Sequence, residues 1–228
     1  MKILITGTSS GIGRAIALKL IKEEHEVYGI SRTSANIDSS FFHEYLLDLT
    51  DLPALENLVR QLNKEISFDV LINNAGCGYY GLHEELNSSK IHEMVTTNLE
   101  VPMIMCNLLM RTLKANSGCI INISSVTAKQ HNPHGAAYGA TKAGLTSLSA
   151  SLFDEARKYG VRVVVIHPEM TDTELYRNAD FGVFPDKNCH LTADNVADSV
   201  IYAINAPSGM VINDITMNPQ FHRIQRKQ

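Results

Sequence analysis

A chain of 228 residues, 44% hydrophobic and 19% charged, has the apolar content for one large soluble domain with a sizeable core. Its formal net charge of −4 argues against a nucleic-acid surface or a polybasic membrane patch, and no apolar run nears the ~18 residues of a membrane span. Four scattered cysteines, Cys77, Cys106, Cys119 and Cys189, form no C-x-x-C pair, and the strand-like pattern begins at once without a signal peptide, so reduced thiols in a cytoplasmic protein are expected.

The first predicted strand, Lys2–Thr6, runs through Thr6-Gly7-Thr8-Ser9-Ser10-Gly11-Ile12-Gly13 into a helical pattern over Ile12–Glu24. Glycines there allow a tight turn, a close backbone approach to a phosphate and close helix packing, while the helix N-terminus offers free N–H groups to a pyrophosphate. Gly7, Ser9, Ser10, Gly11, Ile12 and Gly13 are therefore candidate dinucleotide contacts. The spacing is G-x-x-x-G-x-G, and no Gly-Lys-Ser/Thr follows, so the loop is not a P-loop. The second strand, Glu26–Ser31, ends on Ser31-Arg32, where an acidic residue would hold the ribose hydroxyl of NAD. A hydroxyl and a guanidinium suit a 2′-phosphate instead, so NADP(H) is expected over the alternative NAD(H), with Arg14 a second candidate cation.

Further strands are predicted at Glu44–Leu47, Asp69–Asn73, Cys119–Ser124, Arg162–His167 and Met210–Ile212, and helices at Leu52–Glu65, Ser88–Leu113, Ala137–Tyr159 and Ala193–Ala206. Alternation with near-continuous apolar strands implies an α/β fold: a doubly wound parallel sheet of Rossmann type, three layers α/β/α, in one domain over residues 1–228. Ligands of such sheets bind beyond the carboxyl ends of the strands, so the loops after Thr6, Ser31, Leu47, Asn73, Ser124 and His167 should line one crevice.

On the helix Ala137–Tyr159, Tyr138 and Lys142 share a face at i and i+4, and Ser125 lies thirteen residues before the tyrosine. A fixed cation beside a phenol favours the phenolate, and a tyrosine so tuned trades protons with an alcohol or carbonyl oxygen. Ser125 would hold that oxygen by a hydrogen bond. Lys129, His131, Asn132 and His134 fall between Ser125 and Tyr138 and suggest substrate contact or solvation. His131-x-x-His134 has no third ligand in view, so no metal is expected.

Together these motifs resemble the short-chain dehydrogenase/reductase family, in its compact single-domain branch, from about Lys2 to Thr173. The resemblance implies that Asp48-Leu49 contact the adenine and that Asn73-Asn74-Ala75-Gly76 brace the sheet beside the cofactor. Asn98 is similar to the family's active-site asparagine, which holds a proton-relaying water. Ser125, Tyr138 and Lys142 match its catalytic residues, with Lys142 lowering the pKa of Tyr138 and binding the nicotinamide ribose. After the sixth strand Pro168 is kept, Glu169 stands where the family usually has glycine, and Thr171 and Thr173 fit contacts to the carboxamide. The family's long helices form subunit interfaces, which implies a homodimer or homotetramer.

The polar, aromatic-flecked stretch Tyr176–Leu191 reads as a lid, near residues 174–192, with Arg177 or Lys187 free to meet a carboxylate. The basic tail Arg223, Arg226, Lys227 reads as a solvated end. The resulting expectation is an NADP(H)-dependent oxidoreductase acting on a small-molecule alcohol or carbonyl substrate. The alternatives are a non-catalytic NADP(H)-binding regulator that keeps the fold, and an epimerase or dehydratase of the extended branch.

Overall fold

The computed structural model describes residues 1–227. Seven strands form one parallel sheet: β1 (Lys2–Thr6), β2 (Glu26–Ser31), β3 (Phe42–Leu46), β4 (Val70–Asn73), β5 (Cys119–Ile123), β6 (Arg162–Pro168) and β8 (Asp214–Met217). Their order across the sheet is β3-β2-β1-β4-β5-β6-β8, so the winding direction reverses between β1 and β4. A short antiparallel pair, β7 (Phe181–Val183) and β9 (Ile224–Arg226), stands apart from it. The helices are α1 (Gly11–Lys22), α2 (Leu52–Glu65), α3 (Ser88–Val95), α4 (Val101–Asn116), α5 (Ala136–Ala156) and α6 (Ala193–Ile204).

Alternate residues of each central strand feed opposite layers. Ile3, Ile5, Val164 and Ile166 pack with Ile16 and Leu20 of α1 and Val196 and Val200 of α6. Leu4, Leu71, Ile120 and Val163 pack on the other face with Leu55 of α2 and Leu109 of α4. Both faces are thus covered, which is why strands such as Val163-Val164-Val165-Ile166 are apolar throughout. No helix among the described residues is long and apolar enough to cross a membrane.

Three expectations are corrected. The last sheet strand is Asp214–Met217, not Met210–Ile212, because β6 pairs Val165 with Asp214 and Pro168 with Met217. Residues 210–212 instead leave a turn in which the Met210 N–H donates to the Pro207 carbonyl at 3.0 Å. The single helix expected over Ser88–Leu113 is divided by a π-helical turn, Thr96–Glu100, which carries the fully buried Asn98. The tail is not merely solvated, since Ile224–Arg226 pairs with Phe181–Val183 and the Lys227 N–H donates to the Asp180 carbonyl at 2.7 Å.

Candidate active site

The carboxyl ends of the strands open onto a cleft of about 470 Å³ at the point where the strand order reverses. The loop after β1 forms one wall. Gly7 has φ +76°, in the left-handed region that favours glycine, and a Cβ there would lie 2.9 Å from the Ala75 Cα. A Cβ on Gly13 would lie 2.1 Å from the Gly7 carbonyl oxygen, so α1 and the loop touch backbone to backbone. Asn74 locks this contact, donating from Nδ2 to the Thr6 and Gly7 carbonyls at 3.0 Å each. The Thr6 hydroxyl in turn accepts from the N–H groups of Asn74 and Ala75 at 3.1 Å. α1 then begins at Gly11 with no side-chain cap and no acidic residue in its first turn. Its free N–H groups and positive dipole end therefore suit an anion, and the close glycine backbone fits a dinucleotide pyrophosphate.

Beyond β2, Ser31 donates its hydroxyl to the Thr33 carbonyl at 2.9 Å, and Arg32 stands exposed on the cleft rim. The Asp48 carboxyl is held below its usual range, first by the Thr50 backbone N–H and also by the Arg32 charge. Arg14 does not reach the cleft, because its Nε donates to the Ala35 carbonyl at 3.0 Å. Every other candidate cofactor residue except Gly13 lines the cleft: Gly7, Ser9, Ser10, Gly11, Ile12, Ser31, Arg32, Asp48, Leu49, Asn74, Ala75, Gly76, Tyr138, Lys142, Pro168, Thr171 and Thr173.

Ser125, Tyr138 and Lys142 meet on the cleft floor. Ser125 caps a 3₁₀ turn over Val126–Ala128, its Oγ accepting from the Thr127 N–H at 3.2 Å. Tyr138 and Lys142 lie one turn apart at the start of α5, and the Ser125 hydroxyl is close enough to the Tyr138 phenol to favour its ionisation. Lys142 donates to the Ile123 carbonyl at 2.8 Å, and its Nζ lies 5.8 Å from the centre of the Tyr138 ring. Burial dominates the electrostatics of both groups. It raises the Tyr138 pKa above the ordinary phenol value, against the lowering influence of the nearby Ser125 hydroxyl, and holds Lys142 down to about 8. Desolvation is the largest cause at the phenol, so Tyr138 stands above the ordinary phenol value where the family resemblance implied a lowered one.

Asn98 sits behind the floor rather than on it. Its side chain accepts from the Cys77 N–H at 2.9 Å and donates to the Cys77 carbonyl at 2.9 Å and the Thr141 hydroxyl at 3.2 Å. That clamp ties the loop after β4 to α5. Lys129 leaves the cleft altogether and pairs with Asp214 at 2.6 Å. Among the described residues, no cluster of three His, Cys, Asp or Glu side chains is placed to hold a metal.

The opposite wall follows β6. Thr173 caps the 3₁₀ helix Glu174–Asn178, which delivers Tyr176 and Arg177 to the cleft. Tyr80, Tyr138, Tyr176 and Phe181 form an aromatic cluster, with the Tyr80 ring centre 5.6 Å from Tyr138, 6.0 Å from Tyr176 and 5.2 Å from Phe181. Lys227 donates to the Tyr176 carbonyl at 2.6 Å, and His222 pairs with the Glu169 carboxylate.

The family pattern described as short chain dehydrogenase matches residues 1–181. The chain belongs to the short-chain dehydrogenase family. This dehydrogenase is 31% identical to a serine 3-dehydrogenase of Agrobacterium fabrum, over 95% of its own length and 93% of the relative's. It is 28% identical to an NADP-dependent 3-hydroxy acid dehydrogenase of Schizosaccharomyces pombe, over 99% and 96% of the two chains. A solved 4-hydroxyisoleucine dehydrogenase, complexed with NADH and succinate, superposes with a TM-score of 0.84 at 25% identity, over 95% and 97% of the two chains.

Three positions in this dehydrogenase escaped the reading of its sequence. Tyr80 had a usable signal, its place just after the Asn73–Gly76 motif, on a loop that faces the cleft. His167 and Asp214 had none, because their meeting depends on the register between β6 and β8.

Proposed function

We propose that this short-chain dehydrogenase transfers a hydride between NADP(H) and a small alcohol or carbonyl substrate. The carrying observation is the convergence of Ser125, Tyr138 and Lys142 on the cleft that the glycine loop opens. The bound nicotinamide supplies or takes the hydride. The chain's own residues handle the proton. The buried phenol of Tyr138 stays neutral at pH 7 and gives its proton to the carbonyl oxygen in the reducing direction. Ser125 accepts from the Thr127 N–H and so keeps its own O–H to donate to that same oxygen. Lys142, at about 8, is mostly charged at neutral pH and favours negative charge arising on the phenol oxygen.

The exposed Arg32, next to Ser31, supports the 2′-phosphate of NADP(H), while a carboxylate at this place would repel it. Residues 174–192 act as a lid that excludes water from the floor. Val95 and Met103, exposed on the α3–α4 unit, support self-association into a homodimer or homotetramer. The names of the relatives extend the reading to hydroxy acids.

The test is NADP⁺ and NAD⁺ reduction with L-serine and 3-hydroxybutyrate, and NADPH oxidation against a panel of small carbonyls. Tyr138→Phe should lose about 10²–10⁴-fold in kcat while binding NADPH as the wild type does. Arg32→Asp should reverse a wild-type preference for NADP(H). A wild type that prefers NAD(H), or a Tyr138→Phe enzyme that turns over normally, refutes the corresponding half of the proposal.

A further inference from the structure

Ser125 is gripped by β6 on both sides of its own residue. The preceding amide, Ser124 N–H, donates to the Ile166 carbonyl at 2.8 Å. On the other side, the fully buried imidazole of His167 lies with Nδ1 3.1 Å from the Ser125 carbonyl oxygen. That oxygen also accepts from the Ala128 N–H at 3.0 Å, closing the 3₁₀ turn. A carbonyl oxygen only accepts, so Nδ1 must carry the proton. The opposite tautomer would set two lone pairs against each other in a buried place.

The far side of the ring faces an acid, which favours a second proton at Nε2 and leaves the Nδ1 proton in place. Nε2 lies 3.1 Å from the Asp214 carboxylate of β8, yet off the line of a hydrogen bond. Lys129 holds the other carboxylate oxygen at 2.6 Å and the Thr216 hydroxyl at 2.8 Å. Among the described residues, the charged groups acting on the imidazole are Asp214, which favours its protonation, and Lys129, which opposes it. Whether the ring is neutral or charged, the Nδ1–H bond to Ser125 survives. Lys129 also closes the far end of the turn that Ser125 begins, so one cluster clamps both ends of the segment carrying the hydroxyl.

We propose that His167, in its Nδ1–H form and backed by Asp214 and Lys129, is a positioning residue that aims the Ser125 hydroxyl at the substrate oxygen. The proposal rests on the catalytic reading of Ser125 given above. It acts through the serine, so the chemistry should suffer while cofactor binding does not.

Three variants test it. His167→Leu removes the donor and should lower kcat about 10–100-fold, with the NADPH dissociation constant unchanged. His167→Asn places an amide N–H where Nδ1 stands and should recover kcat to within about threefold of wild type. A thermal midpoint for each separates a misplaced serine from a failed fold, and the asparagine variant keeps the test alive if the leucine variant does not fold. Lys129→Met should fall between them. Nitrogen NMR of histidine-labelled protein, with His167→Asn to assign the resonance, should show the Nδ1–H tautomer at pH 7. An Nε2–H tautomer, an unchanged kcat in His167→Leu, or a failure of asparagine to rescue a folded enzyme overturns the proposal. If instead Tyr138→Phe leaves turnover intact, or nothing turns over, the catalytic reading itself falls, and the tautomer still judges the hydrogen bond alone.

Discussion

On the wall built by the loops after β1 and β4, the groups that hold the cleft's shape are backbone atoms, the Thr6 hydroxyl and the amides of Asn74 and Asn98. Asn74 bonds the Thr6 and Gly7 carbonyls, and Gly13 lies so close to Gly7 that a methyl group has no room. On the wall after β6, the holding groups are side chains and edge strands brought from far along the chain. His222 meets Glu169 across 53 residues, and Ile224–Arg226 pairs with Phe181–Val183. The first wall is a rigid seat, and the second is a cover fastened by its own tail. This division suits a site in which the cofactor's phosphates need fixed donors and the substrate needs a way in.

The largest effect is expected on the rigid wall. Gly13→Ala would drive its Cβ to 2.1 Å from the Gly7 carbonyl oxygen, and backbone at that point has nowhere to go. The ~1 kcal/mol that alanine gains in a helix is outweighed by overpacking of about 1–3 kcal/mol or more. Urea unfolding should report that loss, and titration with NADPH should show affinity down by at least about tenfold as the loop is displaced. An alanine variant with wild-type stability and affinity would mean that this wall is as adaptable as the other.

The same division decides what the sequence could reveal. Gly7 and Gly13 are demanded by their immediate backbone surroundings, so their spacing alone announced the loop. Leu52–Glu65 was legible because its apolar stripe and the Asp51 cap are local. The register of β8 was not. Met210–Ile212 is the more apolar stretch, but β6 selects Asp214–Met217, whose Ile215 and Met217 are partly covered while Asp214 and Thr216 face outward. β7 and β9 were illegible for the same reason. Each is three residues long, and neither has a pattern until the other lies beside it. Glu169 stood out in the sequence as a departure from the family's glycine, but nothing local named His222 as its partner.

The floor between the walls gives the next effect. Burial depresses Lys142 from 10.5 to about 8, so between those values the unfolded chain binds more protons than the folded one. Stability therefore rises with pH across that window, and at pH 7 the full burden of a buried charge is present, about 3 kcal/mol by the size of the shift. Lys142→Met removes it, offset by about 1–2 kcal/mol for the Ile123 carbonyl left unpaired. The variant should be inactive yet more stable than wild type at pH 7, with the advantage shrinking as pH rises from about 8 to 10.5. A variant less stable than wild type at pH 7, with no change in that difference on raising the pH, would place the lysine's charge outside the desolvated floor.

The smallest effect belongs to the fastened wall. Removing residues 221–228 deletes β9, the Phe221 N–H bond to the Asn188 carbonyl, the Lys227 bond to the Tyr176 carbonyl and the His222 partner of Glu169. β9 is exposed along its whole length, so little core goes with it and global stability should fall by less than about 1 kcal/mol. The proposed lid, however, loses the strand that pairs with β7. Trypsin should then cut faster at Arg177 and Lys187, and the substrate KM should rise several-fold while kcat and NADPH affinity hold. Closure would cost more because an untethered lid has more freedom to lose on each turnover. Unchanged cleavage at both sites would mean that Tyr80, Tyr176 and Phe181 hold the cover shut by aromatic packing alone, making the second wall as self-sufficient as the first.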